Sequence, residues 1–143
     1  MGEALSLADA AIAVGEVPVG AVVVRQGKII GRGHNRTRID RDPTAHAEIV
    51  AIRQASRFLG NDRLEDCDLW VTLEPCTMCA GAIAHARIAR LYYGADDPKG
   101  GAIESGVRFF DAPTCHHRPD IYAGMEGERS AKMLLDFFQD RRG

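Results

Sequence analysis

Two short motifs contain the side chains that a hydrolytic metal site needs. One is His46-Ala47-Glu48 and the other is Pro75-Cys76-Thr77-Met78-Cys79. Each stands at the start of a segment with helical periodicity, where free backbone N–H groups and the helix dipole stabilise thiolates. With a nitrogen of His46, Cys76 and Cys79 supply three ligands for a tetrahedral Zn²⁺. A fourth position open to water is typical of a catalytic zinc site.

The open position predicts chemistry on a water molecule. Making hydroxide from bulk water at neutral pH costs about 12 kcal/mol, whereas a zinc-bound water ionises near pH 7. Glu48 lies only two residues after His46, which is too close for both side chains to bind the same zinc ion without strain. We therefore expect Glu48 to take the proton of the water as a general base and to deliver it to the substrate as a general acid.

Neither motif alone is specific to a catalytic zinc site. A CxxC pair also occurs in redox centres and in structural zinc half-sites, and an HxE motif alone carries little information. A structural zinc site needs a fourth ligand, for which the chain offers four candidates: Cys67, Cys115, His116 and His117. The combination of HxE followed by PCxxC, each opening a helix, favours the catalytic interpretation, because it is the signature of zinc nucleobase deaminases.

The composition is that of a globular domain. The chain has 143 residues, of which 45% are apolar and 27% charged. These values predict one domain over residues 1–143 and exclude disorder, collagen-like repeats and a disulfide-dense mini-protein. The apolar runs are shorter than the ~20 residues that a membrane span requires. Because the sequence begins without the basic segment of a signal peptide, we expect a cytoplasmic protein with reduced thiols.

Basic residues are concentrated in one segment although the net charge is only −2. The segment from Arg25 to Arg41 has six basic residues and one acidic residue, Asp40. Such an excess suits phosphate groups, because the guanidinium fork matches phosphate oxygens. Composition alone favours the simpler interpretation, which is a solvated hairpin and loop.

Alternating helices and strands must position the two motifs. Apolar spacing predicts a helix over residues 3–15, ended by Gly15 and Pro18, and a second helix over residues 45–58 with Thr44 as its N-cap. Between them, two apolar runs flank Gln26-Gly27 and predict a β-hairpin.

The second half of the chain predicts a parallel crossover. A strand over residues 69–73, a helix over residues 76–86 and a strand over residues 88–94 follow one another closely. A short strand near residues 121–123 and a helix around Ala131 to Phe138 complete the chain. The order predicts a three-layer α/β/α fold, in which a mixed five-stranded sheet has helices on both faces.

Four segments carry a resemblance to a known family: residues 16–21, 42–48, 71–83 and 93–95. They resemble the bacterial tRNA-specific adenosine deaminases, which have the cytidine-deaminase-like fold. The likeness runs in register to the closing Asp136-Phe137-Phe138 and Arg141-Arg142.

The resemblance implies a reaction and a partner. The expected reaction converts adenosine to inosine at the wobble position of a tRNA anticodon, chiefly that of arginine tRNA. Zinc-bound hydroxide would add to C6 of the extruded adenine while Glu48 protonates N1 and then assists the departure of ammonia. An anticodon loop suits this chemistry because its bases are already unpaired. The resemblance further implies a homodimer whose RNA site draws on both subunits.

The resemblance also assigns residues to the substrate. Asn35 would hydrogen-bond the base and Val19 would wall the pocket. Asp97 and Lys99 would contact the sugar-phosphate backbone of the loop. The residues themselves also allow simpler roles, because an Asn can close a turn and a Val can belong to the core.

Two more residues of the last helix would flank the RNA by the same resemblance, namely Phe138 and Arg141. Phe138 also fits an apolar helical stripe, where it would pack against the core. Arg141 also fits a solvated charge near the end of the chain.

The sequence also allows two other functions. A small-molecule deaminase acting on guanine, cytosine or cytidine would use the same zinc site. A catalytically idle, zinc-stabilised RNA-binding module is a second alternative, although the presence of Glu48 and the count of three ligands argue against it. A basic groove leading to the zinc site would favour tRNA over a small molecule.

Overall fold

Helices and strands alternate along the chain in the computed structural model, which describes residues 1–142. The elements are α1 (Gly2–Ala13), β1 (Gly20–Arg25), β2 (Lys28–His34), α2 (Ala47–Leu59), β3 (Cys67–Leu73), α3 (Thr77–Ala86), β4 (Arg90–Ala95), β5 (Asp120–Tyr122) and α4 (Gly127–Arg142). A short 3₁₀ turn covers Phe109–Asp111. None of the helices within residues 1–142 combines the length and the apolar composition needed to cross a membrane.

The five strands form one mixed sheet in the order β2-β1-β3-β4-β5. β1 is antiparallel to both β2 and β3, whereas β3, β4 and β5 run parallel. The hairpin turns at Gln26 and Gly27, whose φ angles of 52° and 78° are those of a primed turn. The predicted hairpin, crossover and mixed five-stranded sheet are thereby confirmed.

Helices cover both faces of the sheet. The main core lies between the sheet and the pair α2 and α3, where alternate strand residues such as Val23, Leu69 and Leu91 meet Ala51 of α2 and Ile83 of α3. α1 packs over β1 on the opposite face, and α4 packs over β4, where the Ser130 hydroxyl accepts the Ala95 N–H at 3.0 Å. The fold is therefore the predicted three-layer α/β/α arrangement.

The start of α2 differs from the prediction. Thr44 does not cap the helix, because its backbone N–H and its hydroxyl both donate to Asp42 Oδ1, at 2.9 and 2.7 Å. The helix begins at Ala47 and His46 occupies the N-cap position. Asn35 supplies the missing acceptor, since its Oδ1 accepts the Ala47 N–H at 2.9 Å. The shift leaves the side chain of His46 free to act as a ligand.

Gly20 lets α1 lie directly on β1. A Cβ atom at this position would be 1.9 Å from the Ala4 carbonyl oxygen and 2.7 Å from the Ala8 nitrogen. Both obstacles are backbone atoms of α1, so they can be relieved only by moving the helix.

We expect Gly20→Ala to lower the free energy of unfolding by about 1–3 kcal/mol, because overpacking forces backbone shifts. Gly2→Ala is the matched control, since no atom lies within 4 Å of the Cβ it would add. Chemical denaturation of both variants checks the prediction. An unchanged midpoint for Gly20→Ala would show that α1 is not held against β1 as described.

Candidate active site

The N-termini of α2 and α3 meet at the predicted metal ligands. His46 and Cys76 are the N-cap residues of the two helices, and neither side chain caps its own helix. Cys79 follows in the first turn of α3. His46 Nδ1 lies 3.7 Å from Cys76 Sγ and 3.6 Å from Cys79 Sγ. The fold thus brings together three donor atoms from segments that are 30 residues apart in sequence.

The spacing of these atoms fits a tetrahedral zinc ion. Bond lengths of about 2.0–2.1 Å to nitrogen and 2.3 Å to sulfur place a nitrogen and a sulfur ligand about 3.6 Å apart. The observed separations match this value. The ligand atoms of His46, Cys76 and Cys79 lie within 4.8 Å of one another, and no other group of three such donors exists within residues 1–142.

The four other candidate ligands lie outside the cluster of His46, Cys76 and Cys79. Cys67 is buried at the start of β3, and burial raises its pKa to about 11. Cys115 Sγ donates to the carbonyl of His117, whose own Nε2 lies 2.6 Å from the Ile88 carbonyl. The ring of His116 faces that of His85. Across the described residues, the arrangement leaves a three-ligand site, which argues against a closed structural site.

The two thiols differ in their proton affinity. Hydrogen bonds from the Cys79 thiol and from His46 lower the pKa of Cys76 to about 4, so that Cys76 is a thiolate at neutral pH. The bond that Cys79 donates to Cys76, together with burial, raises the pKa of Cys79. A bound cation would release the proton of Cys79, because metals bind the thiolate form.

Glu48 lies in the first turn of α2 with only 4% of its surface exposed. Burial raises the pKa of its carboxyl group. A carboxyl group with a raised pKa exchanges protons more readily near neutral pH than an exposed one. Its position and its proton affinity fit a group that moves a proton beside a metal-bound reactant.

A cavity of about 270 Å³ lies in front of the cluster. Its wall includes Val19, Asn35, His46, Glu48 and Cys76. This volume is slightly below the usual range of about 300–1,000 Å³ for small-ligand sites, and therefore suits one small ring system. The amide oxygen of Asn35 accepts the Ala47 N–H of α2, while its amide nitrogen has no hydrogen-bond partner among the described residues.

The cavity continues into a larger groove of about 760 Å³. The two share Val17, Leu73, Asp97 and Gly100, and α4 forms the far wall of the groove. The groove is open and mainly apolar, and Lys99 is the one basic residue among those that line it in the described chain. The structure therefore provides a groove leading to the site, but not the basic groove that would have favoured tRNA.

The last helix divides its two aromatic residues between core and groove. Phe137 is buried, whereas Phe138 is 45% exposed and lines the groove. The guanidinium group of Arg141 donates to the Gly15 carbonyl at 2.7 Å and lies over the Phe137 ring. Phe138 is thus available to a ligand, while Arg141 holds α4 against the segment between α1 and β1.

Part of the basic segment is neutralised. Arg25 pairs with Asp66, Arg32 with Glu3 and Arg36 with Asp40. The remaining three basic residues of the segment form no ion pair with another residue of the described chain: Lys28, Arg38 and Arg41. The local excess of charge is accordingly smaller than the sequence suggests.

Two buried glutamates that the motifs do not reveal hold loops near the site through hydrogen bonds. Glu16 is 1% exposed and accepts the N–H groups of Arg38 and Ile39 at 3.0–3.1 Å. Glu74 is 2% exposed; burial would raise its pKa, but hydrogen bonds from the loop after β4 lower it. The sequence indicates such buried glutamates only by their position directly beside an apolar run, as in Glu16-Val17 and Leu73-Glu74.

Comparisons with known proteins agree with this geometry. The family model of MafB19-like deaminases matches residues 1–142. A tRNA-specific adenosine deaminase of Agrobacterium fabrum is 62% identical over 127 residues, which cover 89% of this chain and 84% of that protein.

Two solved structures are also similar. One comes from studies of A-to-I editing by tRNA:A34 deaminases at the wobble position of transfer RNA. It has 60% identity and a TM-score of 0.92, with 94% of this chain and 97% of that chain covered. The other is a guanine deaminase from Bacillus subtilis, with 36% identity, a TM-score of 0.65 and coverage of 99% and 90%.

The fold and the site define a deaminase with the cytidine-deaminase-like architecture. Within that class, the chain belongs to the family of the tRNA-specific adenosine deaminases. The resemblance carried by the four sequence segments is confirmed.

We expect the three donor side chains to bind one zinc ion per chain. Cys79→Ala should lose most of the bound metal, because it removes one of three ligands. Cys115→Ala is the control, since its sulfur contacts the His117 carbonyl instead. Metal analysis of the purified variants checks this. Equal zinc in wild type and Cys79→Ala would contradict the assignment.

Proposed function

We propose that this protein converts adenosine to inosine by hydrolysis at the wobble position of a tRNA anticodon, chiefly that of arginine tRNA. The observation that carries the proposal is the continuity of the small cavity beside Glu48 with the open groove along α4. A cavity sized for one base holds the reacting group, and the groove accommodates the rest of a polymer. Similarity to tRNA-specific adenosine deaminases supports the same substrate.

Water and base react between the cluster and Glu48. Zn²⁺ held by His46, Cys76 and Cys79 would acidify a water molecule to a pKa near neutrality. Beside such a site, Glu48 would accept a proton from the attacking water and donate it to N1 of the adenine as the water oxygen adds to C6. Glu48 would then take the proton of the hydroxyl group added at C6 and pass it to the amino group, so that the C6–N6 bond breaks and adenosine and water become inosine and ammonia.

The cavity wall positions the base. Asn35 is fixed through its amide oxygen by the N-terminus of α2, which leaves the amide nitrogen to donate to a ring nitrogen or carbonyl of the base. Val19, whose carbonyl accepts the Asn35 N–H, packs against the ring. The same short segment thereby orients the base and the metal-bearing helix.

The groove suits unstacked nucleotides better than a duplex. The exposed ring of Phe138 offers a stacking surface for a neighbouring base. Lys99 neutralises a phosphate group of the RNA. The carboxylate of Asp97 accepts a hydrogen bond from a ribose 2′-hydroxyl, since a negatively charged phosphate would repel this carboxylate. Arg141 has further guanidinium donors beyond the one it gives to Gly15, and these contact the RNA backbone.

A second copy of the chain completes the assembly in this proposal. The outer surface of α2 and α3 exposes Phe58 at 70% and also Met78. A shallow cavity between the helices, with Ile49, Ile52 and His85 in its wall, adds apolar surface. A homodimer that buries this surface would act on tRNA in the cytoplasm.

Free guanine is the second candidate substrate. The 36% identity to the Bacillus subtilis guanine deaminase over 99% of this chain favours it, and the same metal cluster and Glu48 would serve. The groove along α4 favours the larger substrate, because a free base has no use for it.

We expect the zinc-loaded protein to form inosine on an arginine-tRNA anticodon stem-loop, and no product from free adenosine, cytidine or guanine in parallel assays. A free base or nucleoside makes no contacts in the groove. It therefore lacks the remote binding interactions that contribute to turnover of the larger substrate. Chromatography of digested RNA measures inosine. Turnover of a free base with none on the stem-loop would overturn the tRNA proposal.

Glu48→Ala should lower kcat by about 10²–10⁴-fold while zinc content and stem-loop affinity are kept, because only proton transfer is removed. Glu65→Ala, at an exposed carboxylate outside the pocket, is the control for loss of a negative charge. Single-turnover kinetics and metal analysis make the comparison. Wild-type turnover by Glu48→Ala would exclude the proton-transfer role.

A further inference from the structure

Glu74 is a buried carboxylate surrounded by donors. It follows the last residue of β3 and stands two residues before the ligand Cys76. Its Oε2 accepts three consecutive backbone N–H groups at 3.0 Å, from Ile103, Glu104 and Ser105. Its Oε1 accepts the Asp97 N–H and the Ser105 hydroxyl, both at 2.9 Å. One side chain thus satisfies five donors.

These five bonds hold both ends of one loop, residues 97–105. Asp97 begins the loop, and its carbonyl accepts the Gly101 N–H at 2.8 Å. Gly101 lies against the carboxylate, because a Cβ there would be 2.5 Å from the carboxyl carbon of Glu74. The loop and the carboxylate are therefore packed together without space for a side chain between them.

The same loop borders the route to the cluster. Asp97 and Gly100 line both the cavity and the groove, and Lys99 lines the groove. Pro75, between Glu74 and Cys76, adds a sixth contact, because its carbonyl accepts the Ala102 N–H at 2.9 Å. Glu74-Pro75 consequently joins the metal-ligand turn to the groove loop directly.

We propose that Glu74 is a positioning residue that fixes Asp97 and Lys99 relative to the metal cluster and thereby sets the affinity for the RNA substrate. The assignment of RNA as the ligand rests on the proposed function above. The fixing of the loop rests on the hydrogen bonds alone. Glu74 also borders the small cavity, but all five of its hydrogen bonds go to donors of residues 97–105, so it acts through the loop.

The chemistry of the site requires a carboxylate rather than an amide. Donors face both oxygens, so the NH₂ group of a glutamine would meet N–H groups in either orientation. Turned toward the Oε2 position, it would oppose three backbone donors. Turned toward the Oε1 position, it would oppose the Asp97 N–H, because the Ser105 hydroxyl can reverse its role. The second orientation loses the fewest hydrogen bonds. We therefore expect the glutamine of Glu74→Gln to adopt it and to lose the hydrogen bond to the Asp97 N–H.

The test combines hydrogen exchange with steady-state kinetics on the zinc-loaded full chain. We expect Glu74→Gln to speed amide exchange in residues 97–105 and to raise KM for the anticodon stem-loop about fivefold or more, as the loss of one hydrogen bond implies. kcat and zinc content should stay within about twofold of wild type, because the lost contacts bind substrate and transition state alike. Unchanged exchange in the loop, or a fall in kcat at constant KM, would overturn the proposal.

Two matched variants separate positioning from general instability. Glu16→Gln makes the same change at an equally buried carboxylate, so its faster exchange should be confined to the segment around Arg38 and Ile39. Leu64→Ala truncates a fully buried side chain before the opposite end of β3. It should lower stability without raising KM, and an equal rise in KM would contradict a specific role for Glu74.

The outcomes also distinguish this proposal from the proposed function. If the wild-type protein does not act on the stem-loop, the RNA substrate is wrong. The exchange pattern of Glu74→Gln against Glu16→Gln would still decide whether Glu74 fixes the loop. If wild type acts on the stem-loop and Glu74→Gln leaves KM unchanged, the RNA proposal stands and the positioning role falls.

Discussion

The meeting of two helix N-termini determines the geometry of the whole site. His46 and Cys76 can approach one ion only if α2 and α3 begin at the same point, since their nitrogen and sulfur atoms must lie about 3.6 Å apart. The parallel pair β3 and β4 places α3 beside α2 on one face of the sheet, and both helices pack over it through small residues such as Ala51 and Ala80. Free N–H groups at both helix starts also favour the anionic sulfurs.

Buried polar contacts give the loops around this point a defined shape. Asn35 bonds to the first turn of α2, Glu16 holds the segment after β2, and Glu74 holds the segment after β4. Each bond joins residues that are distant in sequence, and each buried acceptor is satisfied, as burial of a charge requires. In the proposed function, Glu48 transfers protons while these loops bind the substrate.

The sequence predicted what depends on local order. Periodicity and turn residues identified the hairpin at Gln26-Gly27 and the crossover, and the HxE and PCxxC spacing identified the cluster of His46, Cys76 and Cys79, because these signals lie within a few neighbouring residues. It missed features that arise only from tertiary contacts. The sequence predicts Thr44 as the cap of α2, whereas the side chain of Asn35 bonds to the first turn of this helix. The sequence of the basic segment also gives no sign that Glu3 and Asp66 neutralise part of it. Arg141 likewise meets Gly15 only after folding. The RNA contacts expected of Val19, Asn35, Asp97, Lys99, Phe138 and Arg141 stay predictions.

A metal site with three protein ligands and one position open to water underlies the chemistry proposed for this chain. X-ray absorption at the zinc K-edge of the purified, zinc-loaded protein reports the ligand set itself. We expect two sulfur ligands at about 2.3 Å, with one nitrogen and one oxygen at about 2.0–2.2 Å. A shell of four protein ligands, such as three sulfurs and a nitrogen without oxygen, would refute the open site, because a closed site leaves no place for the reacting water.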